Sequence, residues 1–148
     1  MSPVLKKSHN VTELVYHLVC PIKYRRKIFT RDNEPTIKEI CLELEQRYEL
    51  HFLEIGMDND HIHFLIQAIP NIAPSEIAHT VKGNVAHQFF IQHPEVKRFL
   101  WGGHFFTSGY FMNTVGNANM SIIKNYVKNQ GIPAYVQLHL SQPTLFHQ

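Results

Sequence analysis

Leu50-His51-Phe52-Leu53-Glu54-Ile55-Gly56-Met57, then Asp58-Asn59-Asp60, then His61-Ile62-His63-Phe64-Leu65-Ile66-Gln67-Ala68-Ile69: this is the stretch on which the fold turns. Two runs rich in β-branched and aromatic residues, joined by a short polar connection, predict an antiparallel hairpin. Side chains along a strand alternate between faces. His61 and His63 therefore share one face, while Ile62, Phe64 and Ile66 turn to the other, towards a core. Two imidazoles side by side on a rigid strand suit a divalent metal better than they suit packing.

Outward from the hairpin the periodicity alternates between strand and helix. Residues 12–20 read as a first strand, with His17 inside it as a structural histidine or, alternatively, one that faces the metal. From Asn33, a candidate N-cap, with Pro35 in the first turn, Ile37, Ile40, Cys41, Leu44 and Tyr48 recur at helical spacing. Beyond Pro70, a second helix runs from about Pro74 to Gln92, its core stripe made by Ile77, Val81, Val85 and Phe89. Residues 93–103 are irregular. His104-Phe105-Phe106 and Gly109 to Val115 supply a last strand, and Gly116-Asn117 turns the chain into a third helix. Asn117 or Asn119 would cap that helix, which ends at Gln130 before the stop signals Gly131 and Pro133. The order βαββαβα predicts an α+β fold: an antiparallel sheet with helices packed over one face, ferredoxin-like or RRM-like. No repeats or linkers divide residues 1–148, so the chain reads as one domain with a core of about 11–131 and a short tail, 132–148.

The 148 residues are 44% hydrophobic and 18% charged, with 7 Gly and 8 Pro, which excludes a fibrous or disordered chain. No run approaches the ~18 apolar residues of a membrane span, and the N-terminus lacks an apolar signal core. Cys20 and Cys41 fall on apolar faces of separate elements and form no framework, which fits a reduced, cytoplasmic setting. A net charge of +2 does not announce a nucleic-acid binder. Its distribution says more. Lys23-Tyr24-Arg25-Arg26-Lys27 puts four cations around one aromatic at a strand end, the composition of a phosphate-contacting loop. Lys82, on a second helix short of acidic residues after Glu76, is a further candidate DNA contact.

In the third helix Tyr126 and Gln130 lie four apart and project from one face, beside the cationic pair Lys124 and Lys128. Together with the strand histidines they make a set able to cleave a phosphodiester. A metal held by His61 and His63 would polarise the phosphate, the Tyr126 oxygen could attack phosphorus, and the Gln130 amide oxygen could complete the metal shell. His61-Ile62-His63 with Tyr126-Val127-Lys128-Asn129-Gln130 resembles the single-tyrosine HUH transposases of the insertion sequence 200/605 type. Further stretches agree: Tyr16-His17-Leu18-Val19, Lys23 to Phe29, Lys82-Gly83, Leu100-Trp101-Gly102-Gly103, and Gly109 to Gly116. The likeness spans about residues 11 to 131.

The resemblance implies cleavage and rejoining of single-stranded DNA at the ends of a mobile element through a 5′-phosphotyrosine. It implies His61, His63 and Gln130 as metal ligands and Tyr126 as nucleophile. Mg²⁺ or Mn²⁺ is expected rather than Zn²⁺, because phosphate oxygens must be released and the step reversed. It also implies recognition of subterminal hairpins by a homodimer with composite active sites. Three other readings stay open. One is a non-catalytic nucleic-acid-binding module stacking bases on Tyr16, Phe64 and Tyr110. Another is a hydrolytic metalloenzyme using activated water, and the third a domesticated relative acting on host repeats.

Overall fold

The computed structural model describes residues 6–7, 10–11, 14–116 and 120–129. A two-stranded ribbon, β1 (Lys6–Lys7) and β2 (Asn10–Val11), precedes the main sheet. That sheet contains β3 (Leu14–Pro21), β4 (Leu50–Asp58), β5 (His61–Ala68) and β6 (Phe111–Thr114), all pairs antiparallel, in the spatial order β4-β5-β3-β6. Helices α1 (Glu34–Arg47), α2 (Pro74–Gln92) and α3 (Met120–Lys128) complete it. After the ribbon, the chain order is βαββαβα, and the arrangement is the ferredoxin-like α+β fold expected from the periodicity.

The hairpin forms as read. Asp58 pairs with His61, leaving Asn59-Asp60 as a two-residue turn. Ile62, Phe64 and Ile66 face α1 and α2 and pack with Leu18, Ile37, Leu44, Ile77, Val81 and Phe89. Each fully buried aliphatic or phenyl group contributes about 1.5–3 kcal/mol relative to exposure, so this face anchors β5 and fixes where its histidines point. A bulge between Phe52 and Glu54 flips the alternation of β4, and Leu53 joins the opposite face.

Several details differ from the sequence reading, among them the last strand, which is confined to Phe111–Thr114. α1 and α2 cover one face, but α3 lies across the other, where Ile123, Tyr126 and Val127 pack on Val15, Leu65 and Val115. Asn33 does not cap α1: its Oδ1 accepts from the Thr30 N–H at 2.7 Å and its Nδ2 donates to the Ile28 carbonyl at 2.9 Å, closing the preceding turn instead. Tyr48 ends α1 exposed rather than continuing its stripe. The stretch 93–103 holds two short 3-10 turns, Pro94–Phe99 and Trp101–Gly103. Gln130, the capping candidates Asn117 and Asn119, Gly131, Pro133 and the tail lie outside the described residues.

Candidate active site

β5 presents His61 and His63 on the face that α3 covers. Their rings meet edge to face with centroids 4.7 Å apart. His63 is buried, His61 partly so. Tyr126, on the buried side of α3, brings its ring to 5.5 Å from that of His63, at 80°. Residues 63 positions apart in sequence thus converge because α3 packs against this face of the sheet. The structure therefore unites three of the four residues expected at the site, and the fourth, Gln130, is beyond the described residues.

Each histidine is oriented through its Nδ1. The Nδ1–H of His61 donates to Asp60 Oδ1 at 2.6 Å, and Asp60 Oδ2 accepts from Nε of Arg25 at 3.0 Å. Partial burial pushes the Asp60 carboxyl up, but hydrogen bonds from Arg25 and His61 outweigh it and hold the group below its ordinary range. The anion is therefore available to fix His61, and a second carboxylate, Asp58, lies 3.9 Å from Nε2 of His61. His63 Nδ1 shares a 3.0 Å hydrogen bond with Nε2 of His17, and the two rings stack at 5.1 Å. Their pairing is diagonal across the sheet, since His63 sits opposite Val19 and His17 opposite Leu65. Burial first, and neighbouring imidazole charge second, lower both pKa values: His17 to about 3, His63 well below its ordinary value. Both rings are neutral at pH 7, the form that ligates metal.

His17 and Asp60 are the residues that the sequence reading did not assign to the site. Asp60 carried a local signal, a carboxylate adjoining a histidine at a turn. His17 carried none, because its partner is 46 residues away and only the β3–β5 register joins them. Among the described residues no cluster of three or more His, Cys, Asp or Glu side chains is arranged around one metal position. His61 and His63, each with its Nδ1 atom fixed, still fit a divalent cation, with a third donor from another residue type.

The basic segment Lys23–Arg25 forms a short 3-10 turn directly after β3, and its arginine reaches the site through Asp60. Lys82 is placed otherwise than a free phosphate contact would be. Its ammonium donates to the carbonyls of Thr107, Ser108 and Gly109 at 2.9, 3.3 and 3.4 Å and lies 5.5 Å from the centre of the Tyr110 ring. Of the rings expected to stack bases on the sheet, Tyr16 and Phe64 are buried in the core beneath the helices, while Tyr110 is exposed. No helix among the described residues is long and apolar enough to cross a membrane.

Comparison with known proteins finds relatives over most of the chain. The chain is 28% identical over 120 residues to the transposase TnpA of ISDra2 from Deinococcus radiodurans, covering 81% of this chain and 86% of that protein. It is also 28% identical over 123 residues to the transposase of insertion sequence IS200 from Salmonella typhimurium, covering 83% and 80%. A Deinococcus radiodurans R1 crystal structure, of a candidate transposase, superposes with a TM-score of 0.69 at 26% identity, covering 85% of this chain and 97% of that one. A REP-associated tyrosine transposase bound to a REP hairpin shares the fold, with a TM-score of 0.55 at 8% identity, covering 82% and 68%. The family model described as "Transposase IS200 like" matches residues 10–130. The chain belongs to the IS200-like transposase family.

Proposed function

We propose that this transposase cleaves and rejoins single-stranded DNA through a covalent 5′-phosphotyrosine on Tyr126. The observation that carries the reading is the edge-on approach of Tyr126 to His63, itself beside His61, on one face of the sheet. The Tyr126 oxygen attacks the scissile phosphorus, losing its proton. The bond from phosphorus to the 3′ oxygen breaks, and that oxygen leaves as a 3′-hydroxyl. The phosphodiester energy is kept in the tyrosine link, so an incoming 3′-hydroxyl can reverse the step without ATP.

His61 and His63, with Gln130, would hold Mg²⁺ or Mn²⁺, which when bound draws negative charge from the phosphate in the transition state. Asp60 and His17 position the two imidazoles by fixing their Nδ1 atoms. Arg25, Arg26 and the neighbouring Lys23, Tyr24 and Lys27 guide the strand and its hairpin to the site, and Lys82 supports the loop 107–109 beside them.

The functional unit in this reading is a homodimer with composite sites. Tyr126 and His63 already meet within one chain, so a composite site requires α3 to be exchanged between subunits. Such an exchange replaces contacts by identical ones, and packing alone does not oppose it. Cleavage recovered by mixing a His61→Ala/His63→Ala chain with a Tyr126→Phe chain supports exchange. No recovery in verified heterodimers argues for sites completed within each chain, or for a requirement that both sites act together.

Labelled single-stranded element ends, incubated with Mg²⁺ and run on denaturing gels, test the central step. Wild type should transfer the label to protein, and Tyr126→Phe should bind DNA without doing so. Freely turning-over cleavage with no protein-bound label would instead indicate hydrolysis by activated water.

A further inference from the structure

Away from the histidines, a cluster of exposed aromatic rings is built from two distant segments. Tyr24 is 50% exposed, Phe99 48% and Trp101 64%. The Tyr24 and Trp101 rings lie 5.9 Å apart and are tilted by 56°, so neither covers the other. Arg26 sets its guanidinium 5.2 Å from the Trp101 ring, and Arg98 lies 5.6 Å from Phe99. A depression of about 340 Å³ between Tyr24 and Phe99 is lined by these two rings with Arg25, Arg26 and Lys27.

The backbone is shaped to hold these rings outwards. Tyr24 and Arg25 both adopt left-handed conformations, with φ of 60° and 53°, which side chains other than glycine rarely do. The Arg25–Asp60 ion pair and a 2.8 Å hydrogen bond from the Arg25 N–H to the Ile22 carbonyl hold that turn. On the other segment Gly102 and Gly103, at φ 83° and 76°, turn the chain sharply after Trp101.

Large exposed rings among cations call for an occupant that is both flat and anionic. Nucleic acid supplies both, a π-face on every base and a charge on every phosphate. The occupant is further narrowed by access, because base faces inside a duplex are covered by their neighbours. We propose that Tyr24, Phe99 and Trp101 form a stacking platform for an unpaired base of single-stranded DNA, with Arg26 and Lys27 on the adjoining phosphates. This rests on the reading that the protein handles single-stranded DNA, and adds the part of the strand that it grips away from the tyrosine.

Trp101 is the only tryptophan of the chain, so its fluorescence reports on the platform alone. The test titrates the full chain with a dodecamer of deoxythymidine and, separately, with a blunt duplex of the same length, following emission and the anisotropy of labelled DNA. The single strand should quench Trp101 and the duplex should not. Trp101→Leu should weaken single-strand binding about ten-fold or more, the scale of one stacked base, and Trp101→Phe should restore most of it. Equal quenching by the duplex, or single-strand binding unaffected by Trp101→Leu, overturns the platform. So does Trp101 emission that changes with protein concentration alone, which would identify a second copy as the occupant. Tyr126-dependent attachment of DNA with unchanged Trp101 emission overturns the platform and leaves the transposase reading standing. Failure to bind or cleave any single strand removes both.

Discussion

Acid should destabilise this protein through its buried imidazole pair, and the size of the effect follows from His17. In the folded chain His17 titrates near about 3, against 6.5 when exposed, because burial first and the His61 charge second disfavour its cation. Protons therefore bind the unfolded chain preferentially. The stability that His17 contributes is complete above about pH 6.5 and is lost as the pH falls towards the folded value. Between about pH 7 and about pH 4.5 linkage gives a loss of about 2.5 kcal/mol from this one group, a large share of an ordinary domain stability of about 5–15 kcal/mol. His63 is shifted in the same direction and adds to the loss. Urea unfolding in chelator across that range, for wild type and His17→Gln, is the assay. The variant should be less stable at neutral pH yet lose less on acidification, and the difference in slope is the readout. Equal slopes would mean that His17 is protonated in the fold or reached by water, and would refute the neutral pair that positions His63.

Replacing Arg25 and Arg26 together by alanine should flatten the salt dependence of single-strand binding by about 1.4 in log–log slope, two contacts at about 0.7 each; an unchanged slope returns that loop to solvent. Lys82→Met should cost about 1–2 kcal/mol in urea unfolding, through its lost carbonyl contacts, and weaken DNA binding less than the arginine pair does. Full stability with a large loss of affinity would make Lys82 a direct DNA contact. Asp60→Asn should weaken Mn²⁺ binding, measured calorimetrically, by about 10–100-fold through the loss of His61 orientation; unchanged affinity would detach Asp60 from the site.

Much of this architecture was legible in the sequence, and the reasons are local. Ile62, Phe64 and Ile66 alternate with His61, His63 and Leu65, so the face of each residue on β5 followed from period two. Ile77, Val81, Val85 and Phe89, four apart, gave α2 its inner face. What escaped was set by register and layer. The amphipathic pattern of α3 reveals that Ile123 and Val127 are buried, but not which side of the sheet buries them, and so a helix over the histidine face was read onto the wrong one. His17 looks like any strand residue until β3 pairs with β5. Lys82 has the composition of a phosphate contact, and only the folded position of residues 107–109 turns it inwards. Trp101, Phe99 and Tyr24 become one surface only when the 3-10 turns close against the segment after β3.

The most direct test of the central claim is mass spectrometry of the protein after reaction with single-stranded element ends and nuclease trimming. The expected result is a nucleotide 5′-phosphate esterified to the peptide that carries Tyr126, absent in chelator and absent from Tyr126→Phe. A nucleotide adduct on another residue, or cleaved DNA with no adduct at all, would contradict the account.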